Sequence, residues 1–486
     1  MNKEKRNLLC YPIGTIGRDA TYALFTNFIM LYILYTRQLT TEQLGAITAI
    51  MIAARVFDAL NDPIMGNIIE RTRGKFGKFK PWILAGVLST ALVLFLGFNS
   101  QLTGWNFVIF FGVIYFAWSI TFTMHDISYW GMIPALSQDG DTRNKLTSRA
   151  VLCAGVGSTA VSVLVPLFTT GSNAIGGNAQ TAYGIIALAV AIIGPIFIIP
   201  TLVGTKENRE DMGKPAPKVG FKKIISTIGH NDQLLWASLI LLILLVGNGI
   251  VLGGIGSNYI YFEFGYEGGL YSTFTTIGMM ATCVVMILYP MISRRIIRQR
   301  FVLIVCVLSV IGYGMMLLAG LFMPTNDMKF WVITVGFMLA NIGQYGMYLT
   351  MMIAIMNTVE YNELKNGTRD EAIITSMRPF ITKMASSVTV LITTITYIIT
   401  NLTSYTNQIS DLEAQANQGI IDTAAKSAAI ANVVTSVDGG QKLGLLISMT
   451  IVPLLLILIS GILYRKFYTI DEEKYEEICK ELASRG

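Results

Sequence analysis

Residues 55–82 read RVFDALNDPIMGNIIERTRGKFGKFKPW, charged residues set into an otherwise apolar run. The first part continues an apolar segment that begins near Leu44, yet it carries Arg55, Asp58 and Asp62. At ~100° per residue these three positions fall within about 60° of one another, on one face of a helix. A charge at mid-membrane costs on the order of 2.5 to 3.5 kcal/mol, so such residues face a cavity or a partner. Two carboxylates one turn apart make a candidate cation or proton site. The alternative, a structural Arg55–Asp58 pair, leaves Asp62 without a role. The stretch closes on ERTRGKFGKFK, a short basic turn of the kind found on the cytoplasmic side of a membrane.

The rest of the chain supports a membrane reading. Of 486 residues, 53% are hydrophobic and only 14% charged, which excludes an ordinary soluble protein. Apolar runs of about 20 residues predict an all-α membrane protein with twelve spans, the first at 9–36 and the last at 442–464. The hydrophilic segment around KENREDMGKPAPKVGFKK splits them into a six-helix half at 1–203, a cytoplasmic linker at 204–232, a second six-helix half at 233–464 and a cytoplasmic tail at 465–486. Most of the 36 Lys and Arg residues fall in the N-terminus, the even-numbered loops and the tail. That bias places both termini in the cytoplasm of a cell-membrane protein. The formal net charge of +6 is dispersed through separate loops, so no nucleic-acid partner is implied. No small-residue cleavage site follows the basic start, so the first span is expected to persist as a helix. Cys10, Cys153, Cys283, Cys306 and Cys479 are unclustered and imply neither a disulfide framework nor a metal site. No Walker, metal-ligand or nucleophile motif is present, and the reading is of a non-enzyme without cofactor.

RxxDxxxDPxxG from Arg55 to Gly66 followed by GKFKPW from Gly77 to Trp82 resembles the glycoside-pentoside-hexuronide:cation symporter family, a branch of the major facilitator superfamily. The resemblance implies a major facilitator fold and cation-coupled import of a small glycoside (an oligosaccharide, pentoside or hexuronide) by alternating access. It also implies site residues. In the first span, Arg18 and Asp19 match a basic-acidic pair; adjacent residues point about 100° apart, so both can line a cavity but are not expected to pair with each other. In the fourth span, FTMHDISYWGMIP sets Phe122, Thr123, Asp126 and Trp130 on one face. An aromatic ring beside a carboxylate suits a sugar, the ring covering C–H groups while the carboxylate accepts hydroxyl hydrogens. Phe122 stands where the best-known type of the family has Tyr, and Ser128 where that type has Pro.

The resemblance further places Arg149 against the sugar and Asp126, Tyr348 as a second aromatic wall, and Lys383 as the lone membrane lysine that balances the acidic cluster. The sugar site is thus expected from Arg18, Asp19, Asp126, Trp130, Arg149, Tyr348 and Lys383. The cation site is expected from Asp58, Asn61, Asp62 and Thr123. Arg143, Glu360 and Arg369 are expected to gate. Oxygen ligands suit a hard cation and favour sodium; two close carboxylates also share a proton readily, which keeps proton coupling as the alternative. His125, about 100° from Asp126 around the helix, is a weaker proton-relay candidate. Arg378 is read as a gate or surface ion pair, or as a residue favouring an anionic sugar. The expected partners are a small sugar, one monovalent cation and the lipid bilayer, with the chain a monomer.

Two other functions are compatible with the motifs. Animal relatives of this family move lysophospholipids with sodium, and a transport-like fold can serve as a non-transporting sugar sensor. The long segment 402–441 is expected to carry a short surface helix. The tail is expected to form a helix with a Thr469–Glu472 capping box.

Overall fold

Apolar runs bounded by polar caps and Pro or Gly stops give the chain its helices. The computed structural model describes residues 3–72, 74, 76–137, 139–207, 221–293 and 295–485. Its long helical segments are α1 (Lys3–Thr36), α2 (Thr41–Arg71), α3 (Lys80–Phe98), α4 (Gly104–Gly131), α5 (Gly140–Thr169), α6 (Ala179–Gly204), α7 (Asp232–Phe264), α8 (Gly268–Ile292), α9 (Arg298–Phe322), α10 (Asp327–Asn366), α11 (Glu371–Ile399) and α12 (Gly439–Phe467). No strand occurs among the described residues; one isolated bridge, Gly74 to Gly77, closes the basic turn. Thr40 and Gln43 form a capping box at the start of α2, and Pro81 opens α3, where its missing N–H costs nothing.

Ten of these helices are long and apolar enough to cross a membrane, and α2 makes eleven if its two arms count as one span. The arms of α2 meet at 41°, four residues before Pro63, where the proline ring displaces the carbonyl it faces. The expected twelve spans are therefore not all met by length and composition. The remaining helix, α1, has 34 residues, but Arg18, Asp19, Thr21, Thr26 and Asn27 dilute its apolar run. The surface agrees with lipid contact. On α3, Leu84, Leu88, Leu92 and Leu96 form an exposed ridge at four-residue spacing, while Ile83, Val87, Thr90 and Leu94 are buried behind it. Such a ridge would be unfavourable in water, and together with the many long apolar helices it marks a multi-pass membrane protein.

The chain divides into two compact units. The first holds Met1–Ala216 together with Gly265–Thr273 and Tyr397–Val437. Its centre is α1, packed between α5 and α6; a Cβ at Gly17 would lie 2.5 Å from the Gly194 carbonyl oxygen, so only glycine lets α6 approach this closely. Phe25 stacks on Trp118 at 3.9 Å, tying α1 to α4. The segment after α11 contributes two helices to this unit, Leu402–Asn417 and Thr423–Ser436, where one short helix was expected. They are bound by Asn407, which exchanges hydrogen bonds with the backbone of Leu39, and by a buried Lys426–Glu413 pair whose Glu413 accepts the Ala179 N–H at 2.7 Å.

The second unit holds Pro217–Phe264, Phe274–Thr396 and Asp438–Gly486. Of the expected linker, residues 208–220 lie outside the described residues, and the helix Phe221–His230 belongs to this unit. α7 is broken at Val251–Ile255, where Gly254 takes φ 124° and a wider turn is inserted. The tail helix, Glu472–Arg485, docks through Ile470, Tyr475 and Ile478. Its expected Thr469–Glu472 capping box is replaced: Glu472 accepts the Arg298 N–H and pairs with the Arg298 guanidinium, so Asp471 caps the helix by accepting from Lys474 N at 2.9 Å.

Candidate functional site

The first unit's charged centre is built on α1 and α4. Tyr11 and Tyr129 stack at 4.6 Å, and each hydroxyl donates to the other's main-chain carbonyl. This double bond between helices fixes their register. Arg18 lies seven residues, about two turns, beyond Tyr11 and Asp126 three residues before Tyr129, and the two meet. Arg18 donates to Asp126 Oδ1 from Nε at 2.8 Å and also from Nη2, and from Nη1 to Asp19 Oδ2 at 2.6 Å. Its guanidinium lies over the rings of Phe122, 5.5 Å, and Trp130, 5.4 Å.

This corrects two expectations. Arg18 and Asp19 do pair, because the long, flexible arm of arginine spans the angular step that separates adjacent Cβ atoms. The guanidinium on Asp126 is that of Arg18; Arg149 is exposed and donates to the Leu8 carbonyl at 3.2 Å instead. The Arg18 side chain is only 10% exposed, Asp19 is 19% and Asp126 34%. Each carboxylate keeps one oxygen, Asp19 Oδ1 and Asp126 Oδ2, without a hydrogen bond among the described residues.

Two further carboxylates stand on α2 facing α4. Ser119 donates its hydroxyl to Asp58 Oδ1, and Thr123, one turn on, donates to Asp62 Oδ1 at 3.1 Å. A four-residue step of carboxylates thus meets a four-residue step of hydroxyls. Arg55 pairs with the other oxygen of Asp58 at 3.5 Å and lies over Tyr115. The structural Arg55–Asp58 pair considered above therefore exists, alongside the hydroxyl ladder. Asn61 has its amide nitrogen buried without a partner; rotated by 180°, the amide would present its oxygen there instead. Ser119 was missed by sequence reasoning, although its position four residues before Thr123 was the available signal. His125 is buried between the edges of Phe122 and Tyr129, with Nε2 unpartnered and no bond to Asp126.

In the second unit, Tyr348 accepts from Arg378 Nη2 at 3.0 Å and meets Tyr345 edge to face. Arg378 thus bonds a residue of the expected sugar site. Lys383 is half-buried one turn and a residue further along α11. Arg369 gathers Glu360 and Glu363 at 2.8 Å each, and Glu371 at 3.7 Å. All four residues belong to the second unit. Arg143 is exposed near the start of α5.

The model of the family described as MFS/sugar transport protein matches residues 10–472. The lactose permease of Lactobacillus helveticus is 27% identical over 98% of this chain and 71% of its own length. The raffinose carrier protein of Pediococcus pentosaceus is 26% identical over the same shares. Of two further lactose permeases the chain spans about three fifths. Among solved structures, a bacterial homolog of the human lysosomal transporter Spinster, inward-facing and unoccupied, superposes with TM-score 0.65 at 12% identity, covering 97% of this chain and 99% of that one. That likeness concerns the fold. With the motifs of α2 and α4 in place, the chain belongs to the MFS/sugar transport family, as its resemblance to the glycoside-pentoside-hexuronide:cation symporters implied.

Proposed function

We propose that this protein is a sugar symporter that imports a small glycoside with one monovalent cation by alternating access. The observation that carries the reading is the double use of α4. Within Ser119–Trp130 one helix presents Asp126 and Trp130 to the Arg18–Asp19 centre, and Ser119 and Thr123 to Asp58 and Asp62. A ligand that repositions α4 at one end alters the other, which is what coupling requires. Relatives whose names specify lactose and raffinose support a glycoside as cargo.

Sodium is the proposed coupling ion. Carboxylate and hydroxyl oxygens are ligands for a hard cation, and Asn61 has an amide able to add another. At about 100 mV, one inward positive charge contributes about 2.3 kcal/mol, enough for roughly 50-fold accumulation at about 1.4 kcal/mol per tenfold. Arg18, Asp19, Asp126 and Trp130 bind the sugar; Tyr348 and Lys383 have sugar-binding roles on α10 and α11, and Arg149 is an auxiliary cation. Glu360 and Arg369, with Arg143, gate. The Lys and Arg bias supports cytoplasmic termini in the cell membrane, with the chain acting as a monomer. The test is concentrative sugar uptake into vesicles with an imposed sodium gradient. No uptake of any glycoside under any cation gradient would exclude the assignment.

A further inference from the structure

We infer that the Arg18–Asp19–Asp126 centre selects neutral glycosides and rejects the corresponding uronates. The inference rests on the sugar-binding reading of that centre and narrows it, since the family resemblance admits hexuronides as readily as neutral sugars.

The charge count is the first observation. One guanidinium is held by two carboxylates, so the centre carries an excess of one negative charge. The hydrogen-bond count is the second. Every hydrogen bond of the Arg18 side chain among the described residues ends on Asp19 or Asp126, while Asp19 Oδ1 and Asp126 Oδ2 accept none. The open valences are therefore acceptors. A sugar hydroxyl can donate to them; the carboxylate of a uronate has no hydrogen to give, so an oxygen it faces is left unmet and repels it. The aromatic contacts are the third. Arg18 lies over both Phe122 and Trp130, so turning its guanidinium toward an anion would give up two ring contacts along with its carboxylates.

Other charges of the unit do not restore a positive balance at this centre. Arg55 is matched by Asp58. Arg149 is bonded to the Leu8 carbonyl and to neither carboxylate. Arg378, whose guanidinium donates to the Tyr348 hydroxyl, and Lys383 belong to the second unit, and their part in holding an anion is read out by the variants below.

The test uses the full chain in membrane vesicles, by counterflow at pH 7 without imposed gradients. Labelled methyl β-glucoside and methyl β-galactoside are each compared with the glucuronide or galacturonide, and with the methyl ester of that uronate, which has nearly the same shape without the charge. The expected result is exchange of at least one neutral glycoside, a tenfold or weaker response to its uronate, and recovery to within about threefold with the ester. Asp19→Asn, which removes the excess charge, should narrow the gap between glycoside and uronate severalfold, read as a ratio so that a general loss of affinity cancels. A uronate exchanged as well as its neutral partner overturns the inference while leaving the sugar reading intact, and loss of that exchange in Lys383→Gln, Arg378→Gln or Arg149→Gln would identify the cation responsible. An ester rejected like the uronate overturns it by making the exclusion steric. Failure of all neutral and anionic sugars removes the sugar reading and this inference together.

Discussion

Thr123 on α4 donates its hydroxyl to Asp62 on α2 at 3.1 Å, and the same step repeated one turn earlier joins Ser119 to Asp58. A hydroxyl that donates its hydrogen to a carboxylate still has lone pairs for a cation, so each rung presents two kinds of oxygen. Replacing Ser119 by Ala should raise the sodium concentration for half-maximal uptake about tenfold. That is the lower end of the range for a hydrogen bond to a charged group, about 1.5 to 3 kcal/mol, at 1.4 kcal/mol per tenfold. Ser119→Thr should stay near the parent. Sodium activation of sugar uptake is the measurement, and an Ala variant within twofold of the parent would take Ser119 out of the cation site.

Arg18 is the counter-charge for two carboxylates, so its loss should be felt more than that of either partner. Arg18→Gln leaves both uncompensated in a largely buried place, a change typically costing about 3 to 5 kcal/mol. Sugar binding is expected to fall more than a hundredfold, with a lowered thermal midpoint in detergent. Arg18→Lys keeps the charge but not the fork and should recover part of both. Asp126→Asn should weaken sugar binding strongly while helix content stays unchanged. Equilibrium binding of a labelled glycoside checks all three.

The aromatic side of the site gives a separate expectation. Trp130→Ala removes a ring that packs over Arg18, and should weaken the sugar by about 1 to 3 kcal/mol, the range of an aromatic anchor in a binding site. Trp130→Phe should recover part of it. Tyr348→Ala should produce a comparable loss and also release Arg378. Unchanged affinity in both Ala variants would move the walls elsewhere.

Much of this arrangement was legible in the sequence. The stripe of Arg55, Asp58 and Asp62 and the face of Phe122, Thr123, Asp126 and Trp130 follow from helical periodicity. The contacts between helices did not follow, because periodicity gives the face of each helix but not its register against another. Ser119 sat on the correct face all along; its partner became visible only once α2 and α4 were aligned. The same holds for Tyr11 and Tyr129, whose reciprocal bonds join positions 118 residues apart. The Arg18–Asp19 pair was misjudged from Cβ directions, which describe where a side chain starts and not where a long one ends. The pair of helices after α11 was under-read because Ala, Ser, Asn and Gln dominate its sequence; Leu402, Ile409, Ile430 and Val434 are nonetheless buried, and polar bonds such as Asn407 to Leu39 add to them.

That pair of helices carries a pH dependence. Burial raises the Glu413 carboxyl above its ordinary value, opposed by Lys426 and by the Ala179 N–H. A carboxyl with a raised folded pKa binds more protons folded than unfolded in the interval between the two values. Its contribution to stability is therefore largest below the ordinary carboxylate value and declines as pH rises through the folded one. Hydrogen exchange of 402–436, corrected for intrinsic rates, should show opening becoming easier from about pH 4.5 upward. Glu413→Gln should flatten that slope, and an unchanged slope would assign it to other groups.

Sodium, bound between α2 and α4, is the proposed driving ion of sugar uptake. The most direct measurement is uptake of a labelled glycoside into vesicles, first with an inward sodium gradient at fixed pH on both sides, then with an inward proton gradient in the absence of sodium. Accumulation above equilibrium is expected in the first condition and equilibration only in the second, with accumulation abolished in Asp58→Asn and Asp62→Asn. Accumulation driven by the proton gradient alone would contradict the sodium assignment, and accumulation that persists in both Asn variants would contradict the site itself.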